Sequence, residues 1–392
     1  MNASANVDPG LLEKVRARLA ADAGTPDAQT IAAAVRAEAG GLLSDTDLLA
    51  ALRYLQTEMV GAGALEPLLA EPAVTDILVT GPDRVWVDRG AGPVRAAVSF
   101  DDEAAVRRLA VRLALGAGRR LDDAQPWVDG RLHGLGRHGY GVRLHAVIPP
   151  LAADGTCISL RVLRSATQDF GSLVAAGSIP GALAPVLSEM IARRVAFLVI
   201  GGTGAGKTTL LNALLGEVDG WERVLCVEDA PELAPAHPHV VRLIARAANV
   251  EGAGEVPVRA LVRQALRMRP DRIVVGEVRG PEVIDLLTAL NTGHEGCAGT
   301  LHANSVTEVP ARMEALAALG GMGRSALHSQ LAAALRLIVG VARLPGGGRG
   351  VSELGVVRAG TDGLVRVVPV WRRGTGPDRL SVDQILAAES GR

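Results

Sequence analysis

Aromatic residues are scarce in this sequence, at 2% of 392 positions. Binding of single-stranded nucleic acid by stacking needs several such rings, so that class of binder is disfavoured. Cysteine is nearly absent: Cys157, Cys226 and Cys297 stand alone, in no CxxC pair. That excludes a disulfide framework and a zinc-binding cysteine cluster. Net charge is −1, so no bulk positive field recruits nucleic acid, although a local basic groove stays open. Mean hydropathy is +0.24 and comes mainly from alanine. No apolar run reaches the roughly 18–20 residues of a membrane span, and no apolar core follows a basic start between Met1 and Lys14. The expectation is a chain without a signal peptide, located in the cytoplasm. Lysine is the last scarcity: of 41 basic residues only Lys14 and Lys207 are lysines. Against that arginine bias Lys207 is conspicuous.

The first 62 residues carry apolar positions at helical spacing over Leu11–Ala20, Ile31–Ala39 and Leu48–Met59, which predicts a helical N-terminal extension. It reads as a cap on the next domain or as a docking appendage. Residues 65–163 change rhythm. Short β-branched runs at Ile77–Val79, Val85–Val87 and Val94–Val98 precede a helix opened by Asp101-Asp102-Glu103, and more strands follow near Trp127, Gly141 and Cys157. This is an α+β domain. A Gly- and Pro-rich stretch, 164–185, reads as a linker merging into a helix. From 186 to 345 strands and helices alternate, predicting a mostly parallel sheet with helices on both faces. Residues 346–392 read as a β-hairpin and tail.

Residues 201–209 read GGTGAGKTT and match G-x-x-x-x-G-K-[ST]. The context is right: Ala196–Ile200 is a strand before the loop and Thr209–Leu215 an apolar helix after it. Gly201, Gly202, Thr203, Gly204, Ala205 and Gly206 can turn backbone N–H groups inward around a polyphosphate, and the helix N-terminus adds partial positive charge. Lys207 reaches the β- and γ-phosphates, Thr208 offers its hydroxyl to Mg²⁺, and Thr209 closes the loop. The expected cofactors are ATP and Mg²⁺.

Hydrolysis needs a group to orient water and groups to neutralise charge on the γ-phosphate. A strand at Val224–Val227 ends in Glu228-Asp229, with Glu232 close behind, and carboxylates at the C-terminal end of a parallel strand point into the ligand crevice. A second strand, Ile273–Val275, ends in Gly276-Glu277, where the usual pattern is Asp-Glu. Glu277 is the candidate for orienting water; Glu228 is the candidate for the Mg²⁺ shell, through water. Each acidic pair could also be an N-cap or a surface ion pair. A third segment, Asn291–Ser305, carries His294 and His302 among glycines. Their spacing fits no zinc pattern, so they read as sensors that donate to phosphate or to Glu277.

In combination, the phosphate loop, the box EDAPEL at 228–233, LRMRPDRIVVGEVRG and NTGHEG…TLHANS resemble the traffic ATPases of type II and type IV secretion and type IV pilus assembly. AVTDILVTGPDRVWVDR, GRRLDD and VRLHAVIPPLAADGTCISLRVL resemble the tight-adherence (Tad, Flp-type) pilus branch. The resemblance runs from about Leu65 to Glu353. It implies a RecA-like ATPase domain behind a smaller N-terminal domain, nucleotide held between them, and a homo-hexameric ring. It also implies peripheral attachment to the cytoplasmic membrane through a polytopic platform protein. Glu228 and Glu232 match the family's acidic box, Glu277 its catalytic glutamate, and His294 and His302 its histidine box; the missing Asp before Glu277 is a family trait. Arg131 and Arg143 fall where relatives offer arginines to the phosphates.

Three functions follow as expectations. The first is an ATP-hydrolysing motor for a pilus or secretion apparatus. The second is a nucleotide-gated scaffold with negligible turnover, and the third a DNA-translocating motor of conjugation type. Arg259, Arg263 and Arg267 form a four-spaced stripe that could track DNA phosphates; the favoured reading is salt bridging between subunits, with no direct nucleic-acid contact.

Overall fold

The computed structural model describes residues 10, 11, 14, 15, 18, 19, 28–39, 61–132, 134, 135, 140–163, 168–246, 248, 249, 252–291, 295–345, 347–375, 381, 383 and 385. The helix expected at Leu48–Met59 and the side chain of His294 lie outside them. Two compact units divide the chain between Arg164 and Ser165.

The first unit begins with helical positions between 10 and 19 and helix α1 (Ala28–Ala39). Leu11, Val15, Leu19, Ile31 and Val35 are buried at the three- and four-residue spacing read from the sequence. A short helix, α2 (Glu66–Leu69), leads into strands β1 (Asp76–Thr80), β2 (Val85–Asp88) and β3 (Pro93–Arg95). Helix α3 (Glu103–Gly116) is capped by Asp102, whose carboxylate accepts from Ala105 N at 2.7 Å. Strands β4 (Trp127–Leu132), β5 (Gly141–Val147) and β6 (Cys157–Leu163) complete an antiparallel sheet in the order β3-β2-β1-β6-β5-β4. Alternate residues such as Val142, Leu144 and Ala146 are buried with α3, and the residues between them face outward.

In the second unit α4 (Phe170–Ala175) and α5 (Ala184–Ala192) precede β7 (Phe197–Ile200) and α6 (Lys207–Gly216). Then follow β8 (Val224–Glu228), β9 (Val240–Ile244), α7 (Val258–Ala265), β10 (Arg272–Val278), α8 (Glu282–Asn291) and β11 (Ala298–Leu301). Helices α9 (Val309–Leu319) and α10 (Arg324–Ala334) lead to β12 (Leu337–Arg343), β13 (Arg349–Ala359) and β14 (Val365–Arg372). The sheet order is β14-β13-β12-β7-β11-β10-β8-β9. From β12 to β9 every pairing is parallel; β12–β13 and β13–β14 are antiparallel. The fold is therefore α/β, a mostly parallel sheet with one apolar cluster on each face. The helix expected over Val258–Met268 ends at Ala265, and the terminal hairpin is part of the main sheet because β12 links it to β7.

Candidate nucleotide-binding site

Four adjacent parallel strands, β7, β11, β10 and β8, end on the same edge of the sheet. Their C-terminal ends deliver, in that spatial order, the loop 201–206, His302, Glu277 and Glu228. In an open α/β sheet this edge is where ligands bind. Segments far apart in sequence thus meet because the topology stacks their strands, and each carries the residue the sequence reading singled out.

The phosphate loop is shaped by its glycines. A Cβ at Gly201 would lie 2.4 Å from Val341 O, and Gly206 takes φ +100° where it begins α6. Lys207 is buried, and its ammonium donates to Gly201 O at 3.0 Å, Gly202 O at 3.2 Å and His302 Nε2 at 3.4 Å. Three donors meet three acceptors, two from its own loop and one from His302 just past β11. Burial lowers the Lys207 pKa from its ordinary value, and the Glu277 carboxylate partly offsets this. Thr208 and Thr209 open α6, and the Thr208 hydroxyl donates to Glu232 Oε2 at 3.2 Å.

Glu228 is the last residue of β8 and is buried. One oxygen, Oε1, accepts from Leu233 N at 2.8 Å and Glu232 N at 3.1 Å; the other, Oε2, is buried with no hydrogen-bond partner. Burial pushes this carboxyl up to about 7, against the pull of the two amides. The turn that carries Glu232 is anchored by Asn212 on α6, which accepts from Ala234 N at 2.8 Å, and by Arg242, which donates to Leu233 O at 3.2 Å. Neither Asn212 nor Arg242 stands out in the sequence, because their partners are carbonyls and amides rather than other side chains.

Glu277 sits at an irregularity in the β10–β11 register between Val275 and Val278. Thr300 Oγ1 on β11 donates to Gly276 O at 2.6 Å, fixing that peptide. Arg279 forms an ion pair with Glu277, and His302 Nε2 lies 2.5 Å from Glu277 Oε1. That approach is not aligned as a hydrogen bond, so Oε1 has no bonded partner even though the ring is close. His302 Nε2 therefore serves one neighbour at a time: its lone pair accepts from Lys207, or its proton goes to Glu277. Burial and the adjacent Lys207 cation lower the His302 pKa.

The donor set fits Mg²⁺, a hard cation that takes oxygen ligands and keeps several waters. Thr208 and Glu232 already share a hydrogen bond, and the orphaned Oε2 of Glu228 lies in the same acidic box. Among the described residues no group of three or more His, Cys, Asp or Glu forms a cage for a tightly held metal.

Arg131 and Arg143 lie in the first unit, paired across β4 and β5. Register continues the row through Arg161 on β6 to Asp76 on β1 and Asp88 on β2. Arg161 donates to Asp76 at 2.8 Å, and Arg143 stands 4.0 Å from Asp129. Three arginines in one cross-strand row were not legible from the sequence, where Arg131 and Arg161 are far apart. The arginine stripe on α7 is used within the chain: Arg259 and Arg263 both donate to Asp285 on α8, at 2.6 and 2.8 Å. The two residues expected to bridge subunits are thus paired within the chain.

Residues 58–344 match the type II/IV secretion system protein family. A protein of Mycobacterium tuberculosis named for conjugal transfer is 63% identical over 351 residues, covering 89% of this chain and 99% of its own length. The conjugal transfer protein TrbB of Rhizobium radiobacter is 31% identical over 290 residues, covering 73% of this chain and 84% of its own. The solved ATPase DotB of Yersinia pseudotuberculosis shares the fold at TM-score 0.52 and 16% identity, over 74% of this chain and 76% of that one. With the family match spanning most of the chain and the strand-end site built as described, this protein belongs to the type II/IV secretion system protein family.

Proposed function

We propose that this protein is an ATP-hydrolysing motor whose domain movements drive a membrane-embedded secretion or pilus apparatus. The observation that carries the reading is the gathering of Lys207, Thr208, Glu232, Glu228, Glu277 and His302 at neighbouring strand ends. Incoming phosphates replace the Gly201 and Gly202 carbonyls as partners of Lys207. Thr208, with Glu228 and Glu232, would hold Mg²⁺, which when bound would neutralise phosphate charge. Glu277 orients the attacking water once Arg279 releases its carboxylate, and His302 links that carboxylate to Lys207. Arg131 and Arg143 supply the further cations that the transition state needs. His294 is assigned with His302 to phosphate sensing.

The working unit is a homo-hexamer in the cytoplasm, attached peripherally to the membrane through a polytopic platform protein, in the tight-adherence pilus branch of the family. Among the described residues no helix is long and apolar enough to cross a membrane. Lys207→Ala tests the site. It should abolish ATP binding or turnover while the chain still folds, with a lowered melting temperature because Lys207 is buried and bonded to three acceptors; near-normal ATPase activity would overturn the reading.

The names of the relatives favour a second reading, a motor serving conjugal DNA transfer. In that reading the α7 stripe is not the DNA track, because Arg259 and Arg263 are both paired with Asp285. Addition of single- or double-stranded DNA should leave the ATPase rate unchanged. Stimulation would instead establish a DNA-translocating motor.

A further inference from the structure

The loop that carries His302 is short and fixed at both ends. Leu301, the last residue of β11, pairs with Ile200 on β7 and Val278 on β10. After four residues, 302–305, the chain enters a single 3-10 turn, Val306–Glu308. Ser305 caps that turn, its hydroxyl accepting from Thr307 N at 3.3 Å, and Glu308 reaches back to accept from Asn304 N at 3.1 Å. Val306 itself is buried in one of the two apolar clusters, with Val357, Val365 and Val367 of the terminal hairpin.

Strand β13 builds the seat for Val306. Glu353 Oε1 accepts from Val306 N at 2.8 Å, a bond that spans 47 residues of sequence. Gly355 leaves room for the valine side chain: a Cβ there would lie 3.0 Å from Val306 Cβ and Cγ2. Gly340, opposite Glu353 in the β12–β13 register, leaves room for the glutamate, since a Cβ there would fall 2.7 Å from Glu353 Cγ. The glutamate is only 9% exposed, and its second oxygen stands 3.6 Å from Arg372 Nε on β14. A leucine would fill the same space without the cost of desolvating a carboxylate. What the glutamate adds is the acceptor for Val306 N.

We propose that Glu353 is a positioning residue for ATP turnover: through Val306 N it seats the loop 302–305 and so holds the His302 ring between Lys207 and Glu277. The inference rests on the reading of this site as an ATPase and deepens it. His302 Nε2 lies 3.4 Å from Lys207 Nζ and 2.5 Å from Glu277 Oε1, so a displacement of about 1 Å takes it out of reach of one of them. With Leu301 fixed in the sheet, the other end of the loop decides where the ring stands. That end is held by Glu353, which lies outside the phosphate loop and the acidic box. The hairpin appended to the parallel sheet thereby acquires a part in setting the geometry at Glu277.

The test uses the full chain and compares Glu353→Leu, Glu353→Gln and Val306→Pro with the wild type. Leucine fills the space without an acceptor, whereas glutamine keeps a carbonyl oxygen for Val306 N. Proline removes the N–H from the other partner. It does so at the first position of a helical turn and after Ser305, already extended at φ −142° and ψ 151°. Leucine and proline should each lower kcat at least about tenfold with ATP affinity unchanged, and glutamine should recover most of the rate. NMR titration of His302 without nucleotide gives a readout that a loss of stability does not move. In the wild type, burial and the Lys207 cation, joined by Arg279 and Arg312, outweigh Glu277 and hold the ring below the ordinary histidine value. In the leucine and proline variants it should move back towards that value, and in the glutamine variant it should stay. Wild-type kcat in a folded leucine or proline variant, or an unmoved His302 titration, would overturn the inference. If Glu353→Leu does not fold, Val306→Pro, which leaves the glutamate in place, decides alone. A wild type that turns over no ATP would overturn the ATPase reading and the inference with it.

Discussion

Glu228 occupies the space that a side chain at Gly276 would need. A Cβ built on Gly276 would fall 2.7 Å from Glu228 Cγ and 3.2 Å from its Oε1. The absence of an aspartate before Glu277 therefore has a steric cause in this chain: the neighbouring strand β8 projects its own terminal carboxylate across that position. Gly276→Asp, which restores the common pattern, should displace Glu228 and cost about 1–3 kcal/mol of stability as overpacking. Thermal melting alongside Mg²⁺-dependent turnover checks this. An aspartate tolerated with unchanged melting and rate would contradict it.

Glu228 should also make stability depend on pH in the protein free of metal and nucleotide. Burial raises its folded pKa to about 7, above the ordinary carboxylate value, so the folded chain holds the proton more tightly than the unfolded one. Stability from this group is complete below the unfolded pKa, falls as pH rises through the window up to about 7, and is flat beyond. In EDTA, Glu228→Gln should be close to neutral near about pH 5 and stabilising near about pH 8, by up to about 3 kcal/mol. Urea unfolding at the two pH values measures the difference, and a gap that does not change with pH would contradict the account.

His328 is buried at 1% exposure between α9 and the terminal hairpin. Val365 N donates to its Nδ1 at 2.8 Å and its Nε2 lies 2.8 Å from Glu314 Oε1, a pattern that assigns the ring proton to Nε2. His328→Ala leaves a cavity and an orphaned backbone N–H, and should cost about 2–4 kcal/mol. Asparagine, whose side-chain oxygen can replace Nδ1 as acceptor, should recover part of that loss in denaturant unfolding. An alanine variant as stable as the asparagine one would show that the Val365 bond contributes little.

The α/β class was legible because its signals are local. The apolar run Phe197–Ile200, the glycine loop and helix α6 are contiguous, and each carries its own pattern. Strand β9, Val240–Ile244, is hard to read from sequence because its five residues, with Arg242 in the middle, show no alternation of apolar and polar positions and are too short to assign without the neighbouring strand. Long-range partners were illegible for a different reason. The bond from Thr300 to Gly276, the pairing of Arg259 with Asp285 and the clash between Gly276 and Glu228 all depend on strand order and helix placement, which spacing along one segment does not encode. The same holds for Arg161, which enters the row of Arg143 and Arg131 only through sheet register.

Phosphate release by Glu277→Gln beside the wild type decides whether Glu277 orients the water that attacks bound ATP. The amide keeps the size of the carboxylate but polarises water less. The wild type should release phosphate steadily from ATP and Mg²⁺. Glu277→Gln should bind ATP undiminished, with turnover lowered at least about a hundredfold. Wild-type turnover in Glu277→Gln, with loss of turnover in Glu228→Gln instead, would contradict that role for Glu277 and move it to Glu228.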